Sequence, residues 1–182
     1  SGRLHERGIE NIRIVERGSD VGGTWYWNRY PGAACDVVSY DYLPLLDEMD
    51  YVPVNHYSRG PEIFGHCQAI ARKYNLYDLA VFSTTVTETV WNEAEQLWHV
   101  KTDRGDDMRA RFVICANGTL AKPKLSLIDG MTTFKGHAFH SSRWDYEYTG
   151  EHLENLKDKR VGIIGTGASA VQIVPELGKT AK

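Results

Sequence analysis

The feature that most constrains the fold is a glycine-rich turn near the end of the chain, between an apolar segment and an amphipathic one. Residues 159–164 predict a buried strand, and residues 169–177 predict a helix. In the GxGxxA turn between them, Gly165 allows a tight turn, Gly167 lets the backbone approach a pyrophosphate, and Ala170 keeps the helix close to the strand. A strand, this turn and a helix together predict a dinucleotide site at the helix N-terminus, in an α/β fold.

The composition is typical of a globular protein that stays in solution. The 182 residues are 42% hydrophobic and 25% charged, with a net charge of -3, so the basic excess favoured in nucleic-acid binding is missing. We find neither an apolar run long enough for a membrane span nor a signal peptide, and expect a cytoplasmic protein. Three widely spaced cysteines, Cys35, Cys67 and Cys115, predict reduced thiols, and the histidine spacing predicts no metal site.

The first forty residues contain a second candidate nucleotide site. The chain opens with what we interpret as the end of a helix, closed by Gly8, followed by a predicted short strand over 12–16. Glu16 ends this strand, where a carboxylate can hold a ribose, although an acid at a strand end is more often solvated. Residues 24–42 are rich in aromatics and glycine without regular periodicity, and predict an ordered loop.

The middle of the chain has clearer periodicity. Residues 61–75 predict a helix with one apolar face. Three β segments, at 82–91, 97–102 and 108–115, predict an antiparallel meander whose last strand leaves to enter a central sheet. Residues 119–158 have little periodicity and predict a long functional linker.

Residues 21–36 (VGGTWYWNRYPGAACD) combine glycines, which let a backbone approach a planar ligand, with aromatics that supply flat apolar walls. They predict a flavin-binding wall, with an aromatic mini-core as the alternative. This run resembles the GGTWYWNRYPGAxCD segment of type I Baeyer–Villiger monooxygenases almost residue for residue. Residues 134–145 (FKGHAFHSSRWD) resemble the FxGxxxHxxxW fingerprint of the same family, in which Pro or Asp follows the tryptophan.

The resemblance covers essentially the whole chain and implies a three-layer, Rossmann-like FAD/NAD(P)-binding fold with an antiparallel meander. It implies part of an FAD-binding domain over 1–118, without its first strand and GxGxxG turn, an interdomain linker over 119–158 and the start of an NADP-binding domain over 159–182. It implies FAD and NADPH as cofactors, and O2 and a ketone as substrates. The family converts ketones to esters or lactones through a C4a-peroxyflavin. By the same resemblance we expect this chain to be an internal piece of a longer protein and inactive alone.

The resemblance also implies cofactor contacts. Those to FAD would come from Glu16, Gly22, Gly23, Thr24, Trp25, Tyr26, Trp27, Asp36, Tyr42 and Val86. Those to NADP would come from Ala34, Cys35, Asp36, Gly165, Thr166, Gly167, Ala168, Ser169, Ala170 and Gln172. Val86 could equally be a core residue of a strand. Asp36 is the implied catalytic residue, since the matching acid supports an active-site arginine that the family carries later in its chain.

The implied fingerprint residues are Phe134, Gly136, His140, Trp144 and Asp145. We expect His140 to couple domain movement to cofactor binding and not to transfer a proton. Two alternatives stay open: a flavin monooxygenase that oxidises nitrogen or sulfur, and a dinucleotide-binding module without oxygenase activity. The absence of a CxxxxC pair around Cys35 argues against a disulfide reductase. The choice between NAD and NADP depends on a residue expected near position 185, beyond this sequence.

Overall fold

The structure is a computed structural model that describes residues 2–120, 122–126 and 128–182. The chain forms two compact units, each built from segments that are distant in sequence. Unit 1 comprises residues 1–26 and 64–118, and unit 2 comprises residues 27–63 and 119–182.

Unit 1 begins with helix α1 (Gly2–His5), whose end is closed at Gly8. Gly8 has a φ of 75°, and its amide donates to the carbonyl of His5 at 2.9 Å, which is the glycine cap predicted from the sequence. Strand β1 (Ile14–Val15) follows and is shorter than predicted. Its parallel partner, β2 (Ala80–Val81), was missed, because two apolar residues are too short a pattern to detect.

An antiparallel sheet of three strands in the order β3-β4-β5 forms a second part of unit 1. The strands are β3 (Val86–Asn92), β4 (Leu97–Thr102) and β5 (Asp107–Ala110). Strand β3 begins four residues later than predicted because a turn precedes it. There, Ser83 is left-handed, with a φ of 50°, and the Thr84 hydroxyl donates to the carbonyl of Phe82 at 2.8 Å.

Two apolar segments are not strands: the end of the third meander strand, predicted to enter a central sheet, and residues 159–164, predicted as a buried strand. Residues 111–118 and 159–166 have no assigned helix or strand, and Phe112, Ile114 and Ile164 are 83%, 75% and 68% exposed. A strand requires a neighbour with which to exchange backbone hydrogen bonds, and no segment within the described residues pairs with either one. The prediction of a buried strand before Gly165 is therefore wrong for this structure.

Five helices complete the secondary structure of the region between residue 24 and residue 80. Helices α2 (Thr24–Trp27) and α3 (Ser39–Tyr42) lie where the sequence predicted a loop, and each is a single turn, too short for periodicity to reveal. Helix α4 (Leu46–Met49) follows. Helix α5 (Gly60–Lys73) matches the helix predicted over 61–75, and α6 (Leu76–Leu79) follows it directly.

Unit 2 ends with helices α7 (Tyr146–Thr149) and α8 (Ala168–Leu177), together with 3-10 turns at Ser141–Arg143 and Glu154–Leu156. Its core joins residues from three segments: Tyr30, Ala33, Leu153, Leu156, Ile173 and Leu177, with Trp144 and Ala181 packed against them. The second half of the predicted linker is therefore a packed part of the fold. None of the helices in the described residues has the length and apolar character needed to cross a membrane.

Candidate functional site

The acid at the end of β1 organises the loop that follows it. One carboxylate oxygen of Glu16, Oε1, accepts a hydrogen bond from the amide of Gly18 at 2.6 Å. The backbone of Glu16 is held on both sides, by a bond from its amide to the carbonyl of Val81 and by one from the amide of Thr84 to its own carbonyl, each of 3.0 Å. Glu16 is thus a fixed, half-buried acid at a strand end, and its contact with a ribose stays a prediction.

Asp20, which the sequence analysis did not single out, fastens the same loop to two helices of unit 1. Its Oδ1 accepts from the Tyr77 hydroxyl at 2.8 Å and from the amide of Val21 at 2.7 Å, and its Oδ2 accepts from Gln68 Nε2 at 2.7 Å. Burial raises the pKa of Asp20, but these three donors outweigh it, so that the pKa is held below its ordinary value. The only sequence signal for this role was an aspartate within a glycine-rich loop.

The two glycines before α2 have conformations that favour glycine, with φ of 106° at Gly22 and 50° at Gly23. A Cβ on Gly22 would lie 2.7 Å from Cδ2 of Phe64, whereas a Cβ on Gly23 would meet nothing within 4 Å. The backbone is therefore tightly packed at Gly22 and open at Gly23. Tyr26 covers the start of this loop, where its hydroxyl lies 2.7 Å from Ser19 Oγ.

The remaining predicted FAD residues are spread over both units. Thr24 and Val86 are exposed, and Trp25 is half-buried; all three belong to unit 1. Val86 is the first residue of β3 and is 41% exposed, so it is not a core residue. Trp27, Asp36 and Tyr42 belong to unit 2, and both Asp36 and Tyr42 are exposed.

In unit 2, Gln172 of α8 binds the segment that contains Tyr30 and Ala34. Its Oε1 accepts from the Tyr30 hydroxyl at 2.9 Å and from the Ala34 amide at 3.3 Å, and its Nε2 donates to the Ala34 carbonyl at 2.9 Å. The side-chain amide of Gln172 thus bonds to both the N–H and the C=O of Ala34, and these two bonds fix the orientation of the amide. Gln172 and Ala34, both predicted NADP contacts, are brought together by this structure.

Gly32 allows this close approach. It has a φ of 77°, and a Cβ placed on it would lie 2.6 Å from the carbonyl oxygen of Gln172 and 3.0 Å from Cγ of Glu176. No side chain would fit there without moving α8 away. The glycine of the PGAAC run is therefore required for packing as well as for backbone conformation.

The segment after Ala34 pairs with residues 56–60. Ala34 and Arg59 form an antiparallel bridge, and the Cys35 amide donates to the Ser58 carbonyl at 2.9 Å. Below this pairing, Ser39 and Ser58 are fully buried, with their hydroxyl oxygens 2.8 Å apart. Cys35 is buried beside the exposed Asp36, so the thiol packs inward while the carboxylate faces solvent.

Glu62, in the first turn of α5, holds the loop that precedes the helix. Its Oε1 accepts from the Tyr51 hydroxyl and from the Val54 amide, each at 2.8 Å. Burial raises the pKa of Glu62, but the hydrogen bonds it accepts outweigh burial and hold the pKa below its ordinary value. The carboxylate therefore stays ionised at neutral pH and fixes the loop 51–55.

A cavity of about 420 Å³ opens beside these contacts. Its lining comes from three parts of unit 2, which are residues 32–34, the loop 55–59 and the second half of α8. The lining residues are Gly32, Ala34, Asn55, His56, Tyr57, Arg59, Gln172, Pro175 and Glu176. The cavity is open to solvent, and its volume lies within the range of small-molecule sites. Ala34 and Gln172 are the two predicted NADP contacts that face it.

The glycine-rich turn before α8 is open to solvent. Gly165 has a φ of 131°, which favours glycine, and Cβ atoms on Gly165 or Gly167 would meet nothing within 4 Å. Thr166 is exposed between them, and Gly167 occupies the N-cap position of the ten-residue helix. Ala168, Ser169 and Ala170 form its first turn. The turn therefore leaves its backbone accessible at a helix N-terminus, where an anion is stabilised.

The fingerprint residues His140 and Trp144 have structural partners. His140 Nδ1 lies 2.8 Å from Ser142 Oγ and accepts from the Ser142 amide at 3.2 Å, so it caps the 3-10 turn Ser141–Arg143. Trp144 Nε1 donates to the hydroxyl of the buried Thr149 at 3.1 Å. Phe134 is 64% exposed, and its ring covers Gly136.

Asp145 begins helix α7. Its Oδ1 accepts from the Tyr148 amide at 2.9 Å, and its Oδ2 lies 2.8 Å from His137 Nε2. The Tyr148 amide and then His137 hold the pKa of Asp145 below its ordinary value. The acid of the fingerprint is thus a helix cap in this structure.

Arg143 and Tyr146, which sequence reasoning did not single out, connect residues 143–146 to residues 27–29. The guanidinium carbon of Arg143 lies 3.9 Å from the ring centroid of Trp27, and the Tyr146 hydroxyl donates to the carbonyl of Arg29 at 2.6 Å. Both contacts bridge more than a hundred residues of sequence. Among the described residues, no cluster of three or more His, Cys, Asp or Glu side chains is arranged to hold a metal ion.

The family of the chain follows from comparison with known proteins. The model of the flavin-binding monooxygenase-like family matches residues 5–182, and the chain belongs to this family. A Baeyer–Villiger monooxygenase, ATR8, from Stachybotrys chlorohalonatus is 53% identical over 184 residues, covering 99% of this chain and 29% of that relative. The chain spans less than a third of the length of the curated relatives it matches.

Solved structures agree in fold. The polycyclic ketone monooxygenase of the thermophilic fungus Thermothelomyces thermophila has a TM-score of 0.92 and 42% identity, over 99% of this chain and 31% of that one. The complex of OTEMO with FAD and NADP has a TM-score of 0.89 and 36% identity, over 100% of this chain and 35% of that one. The chain thus has the dinucleotide-binding fold of flavin monooxygenases, with mixed helices and sheets.

Proposed function

We propose that this chain is part of a longer flavin-dependent monooxygenase of the Baeyer–Villiger type, which converts ketones to esters or lactones with NADPH and O2. The observation that carries the proposal is the pair of hydrogen bonds between the side chain of Gln172 and the backbone of Ala34. It joins the helix of the predicted NADP turn to the run predicted to carry the flavin and nicotinamide contacts. A relative named as a Baeyer–Villiger monooxygenase, a ketone monooxygenase structure and a complex with FAD and NADP support the same activity.

The residues of the loop before α2 fit a flavin nucleotide. Gly23 has a left-handed φ of 50° with open space around its Cα, so a flat ligand can approach its backbone. Glu16 is held at the end of β1 by the Gly18 amide, in the place where a carboxylate accepts ribose hydroxyls. We assign Glu16, Gly22, Gly23 and α2 to FAD, with the exposed Tyr42 and Val86 as further contacts.

The residues around α8 fit a second dinucleotide. The open backbone at Gly165 and Gly167 lies at the N-terminus of a ten-residue helix, where the helix dipole favours a pyrophosphate. Gln172 and Ala34 line the cavity of the same unit. We assign residues 165–170, Ala34, Cys35, Asp36 and Gln172 to NADP.

When bound, NADPH supplies the hydride, and FAD supplies the redox chemistry that activates O2. The chain's own residues bind and orient these groups. Asp36 is exposed next to the buried Cys35, so its carboxylate is available to hold a guanidinium from another part of the intact protein. His140 is engaged in capping a turn, which supports a role in positioning and none in proton transfer.

The domain assignment is a further part of the proposal. We assign residues 1–118 to the FAD-binding domain, 119–158 to the interdomain segment and 159–182 to the start of the NADP-binding domain. The open glycine turn at 165–167 supports the start of a nucleotide site there. Leu153 and Leu156 lie in the core of unit 2 and Trp144 packs against it, which supports a linker that is ordered in its second half.

The activity is tested with the intact protein, NADPH, a panel of cyclic and linear ketones, and methyl phenyl sulfide. We expect flavin absorbance at about 450 nm and NADPH-dependent ester or lactone formation. Oxidation of the sulfide without ester from any ketone would favour the alternative of a sulfur- or nitrogen-oxidising flavin monooxygenase. A preparation that binds no flavin would favour the dinucleotide-binding module.

The assignment of the glycine turn at 165–167 to NADP is tested with a separate variant. Gly165→Ala places a Cβ on a backbone with φ of 131°. The free variant is expected to relax out of this conformation, and NADPH binding must then restore it. Because the restored strain costs about 1–3 kcal/mol, we expect the KM for NADPH to rise roughly tenfold. Gly105→Ala is the matched control, since Gly105 also has a positive φ, of 86°, and open space, but lies in a hairpin turn of unit 1. Equal KM values for the two variants would contradict the assignment.

A further inference from the structure

We propose that Arg143 is a positioning residue for the flavin site: its guanidinium, stacked on Trp27, holds the end of helix α2 in the conformation that binds FAD. The inference rests on the proposed function, and it concerns a residue at one of the variable positions of the FxGxxxHxxxW pattern. Arg143 directly precedes Trp144 in that pattern.

The geometry of the stack is that of a cation–π contact. The guanidinium carbon of Arg143 is 3.9 Å from the ring centroid of Trp27, within the distance at which a guanidinium and an indole attract each other. Both side chains are half-buried, so the interaction is only partly screened by water. A planar guanidinium can lie flat on an indole, which an ammonium cannot do.

Arg143 is itself held in place, and can therefore hold its neighbour. Its Nη1 donates to the Ser142 carbonyl at 2.6 Å, within the 3-10 turn that His140 caps. The next residue, Trp144, is anchored by its hydrogen bond to Thr149 and packs against the core of unit 2. The stack thus connects a rigid turn to Trp27.

A second contact holds the same stretch of chain. Trp27 is the last residue of α2, and two residues later the carbonyl of Arg29 accepts from the Tyr146 hydroxyl at 2.6 Å. Burial, and then the charge of Glu151, raise the pKa of Tyr146, so its hydroxyl stays protonated as a donor. The segment 143–146 therefore binds residues 27–29 at two points, one through a ring and one through the backbone.

The chemistry of the site gives this link its function. Helix α2 holds the aromatic residues that we assign to FAD, and its first residues follow the open backbone of Gly23. A flexible end of α2 would cost ordering entropy when FAD binds. Arg143 therefore raises flavin affinity by ordering Trp27 in advance and touches no reacting atom.

The test compares Arg143→Met, Arg143→Lys and Trp27→Leu in the intact protein. Loss of a half-buried cation–π contact predicts an FAD Kd about 3- to 10-fold higher for Arg143→Met in fluorescence titration of the apoprotein. Arg143→Lys, which keeps the charge without the planar stack, should fall between the wild type and Arg143→Met. The double variant of Arg143→Met and Trp27→Leu should have an FAD Kd no higher than that of the single variant with the higher Kd, because both substitutions remove the same contact.

The control is Lys159→Met, which removes a different cation–π contact, that of Lys159 with Tyr148 at 5.7 Å. It should leave the FAD Kd unchanged. Two further readouts separate positioning from general destabilisation. In Arg143→Met, hydrogen exchange should quicken at the amides of residues 25–29, and hydrogen peroxide released per NADPH should rise, while the melting temperature stays within about a degree of the wild type.

Wild-type FAD affinity and unchanged exchange at residues 25–29 in Arg143→Met would overturn the inference, as would additive losses in the double variant. A fall of several degrees in the melting temperature of Arg143→Met would also overturn it, because Arg143 would then support the whole fold and not only the end of α2. A wild-type protein that binds no flavin would instead refute the proposed function. The two failures are therefore distinguishable.

Discussion

Substitution of Gly32 tests whether α8 and the PGAAC run are held together as the structure shows. In Gly32→Ala, the new Cβ has two costs. The first is the left-handed backbone at φ of 77°, worth about 1–2 kcal/mol for a residue with a side chain. The second is overlap with the carbonyl oxygen of Gln172, 2.6 Å from the Cβ position. Forcing an atom into packed surroundings costs about 1–3 kcal/mol.

The two costs can be separated with Gly105→Ala, because Gly105 has a similar φ of 86° and no atom within 4 Å of the Cβ position. Urea unfolding should show a loss of about 1–2 kcal/mol for Gly105→Ala and about 2–5 kcal/mol for Gly32→Ala. Hydrogen exchange locates the difference. Amides of α8 should lose about 5- to 150-fold more protection in Gly32→Ala than in Gly105→Ala.

Equal losses of stability in the two glycine variants would refute the reasoning, since only the backbone conformation would then matter. Unchanged protection of α8 in Gly32→Ala would do the same, because it would mean that no close contact with Gln172 had to yield.

Two further predictions concern side-chain hydrogen bonds. Thr149→Val removes the acceptor of the Trp144 Nε1 hydrogen bond and should lower the unfolding free energy by about 1–2 kcal/mol in urea titration, whereas Thr149→Ser, which keeps the hydroxyl, should lose less. Asp20 accepts from Gln68 and Tyr77, and its pKa is lowered, so its stabilisation is present above the unfolded-state pKa and is lost as the pH falls through the folded-state pKa. Asp20→Asn should therefore lower stability at neutral pH and flatten its decline in acid; a wild-type pH profile would count against this network.

Local sequence patterns predicted the elements that depend on nearby residues. Helices α5 and α8 follow from 3.6-residue periodicity, and the glycine cap at Gly8 follows from its position after α1. The open turn at Gly165 could also be anticipated, since its glycine pattern reflects backbone conformation. These features require no knowledge of which distant segments meet.

The contacts that assemble unit 2 could not be predicted in this way. Gln172 was assigned to NADP, yet its hydrogen bonds to Ala34 span 138 residues, and no local pattern encodes them. The stack of Arg143 on Trp27 was missed for the same reason. Conversely, the apolar residues 111–116 predicted a buried strand, but an apolar run shows only that burial is favourable and does not supply a partner strand.

The most direct test of the central claim is the fate of oxygen in a reaction of the intact protein with NADPH, a cyclic ketone and ¹⁸O₂. We expect a lactone that carries one ¹⁸O atom, seen by mass spectrometry as a gain of about two mass units over the ¹⁶O₂ product, with NADPH oxidised in equal amount. Consumption of NADPH without labelled lactone from any ketone, or label found only in an oxidised sulfide, would contradict it.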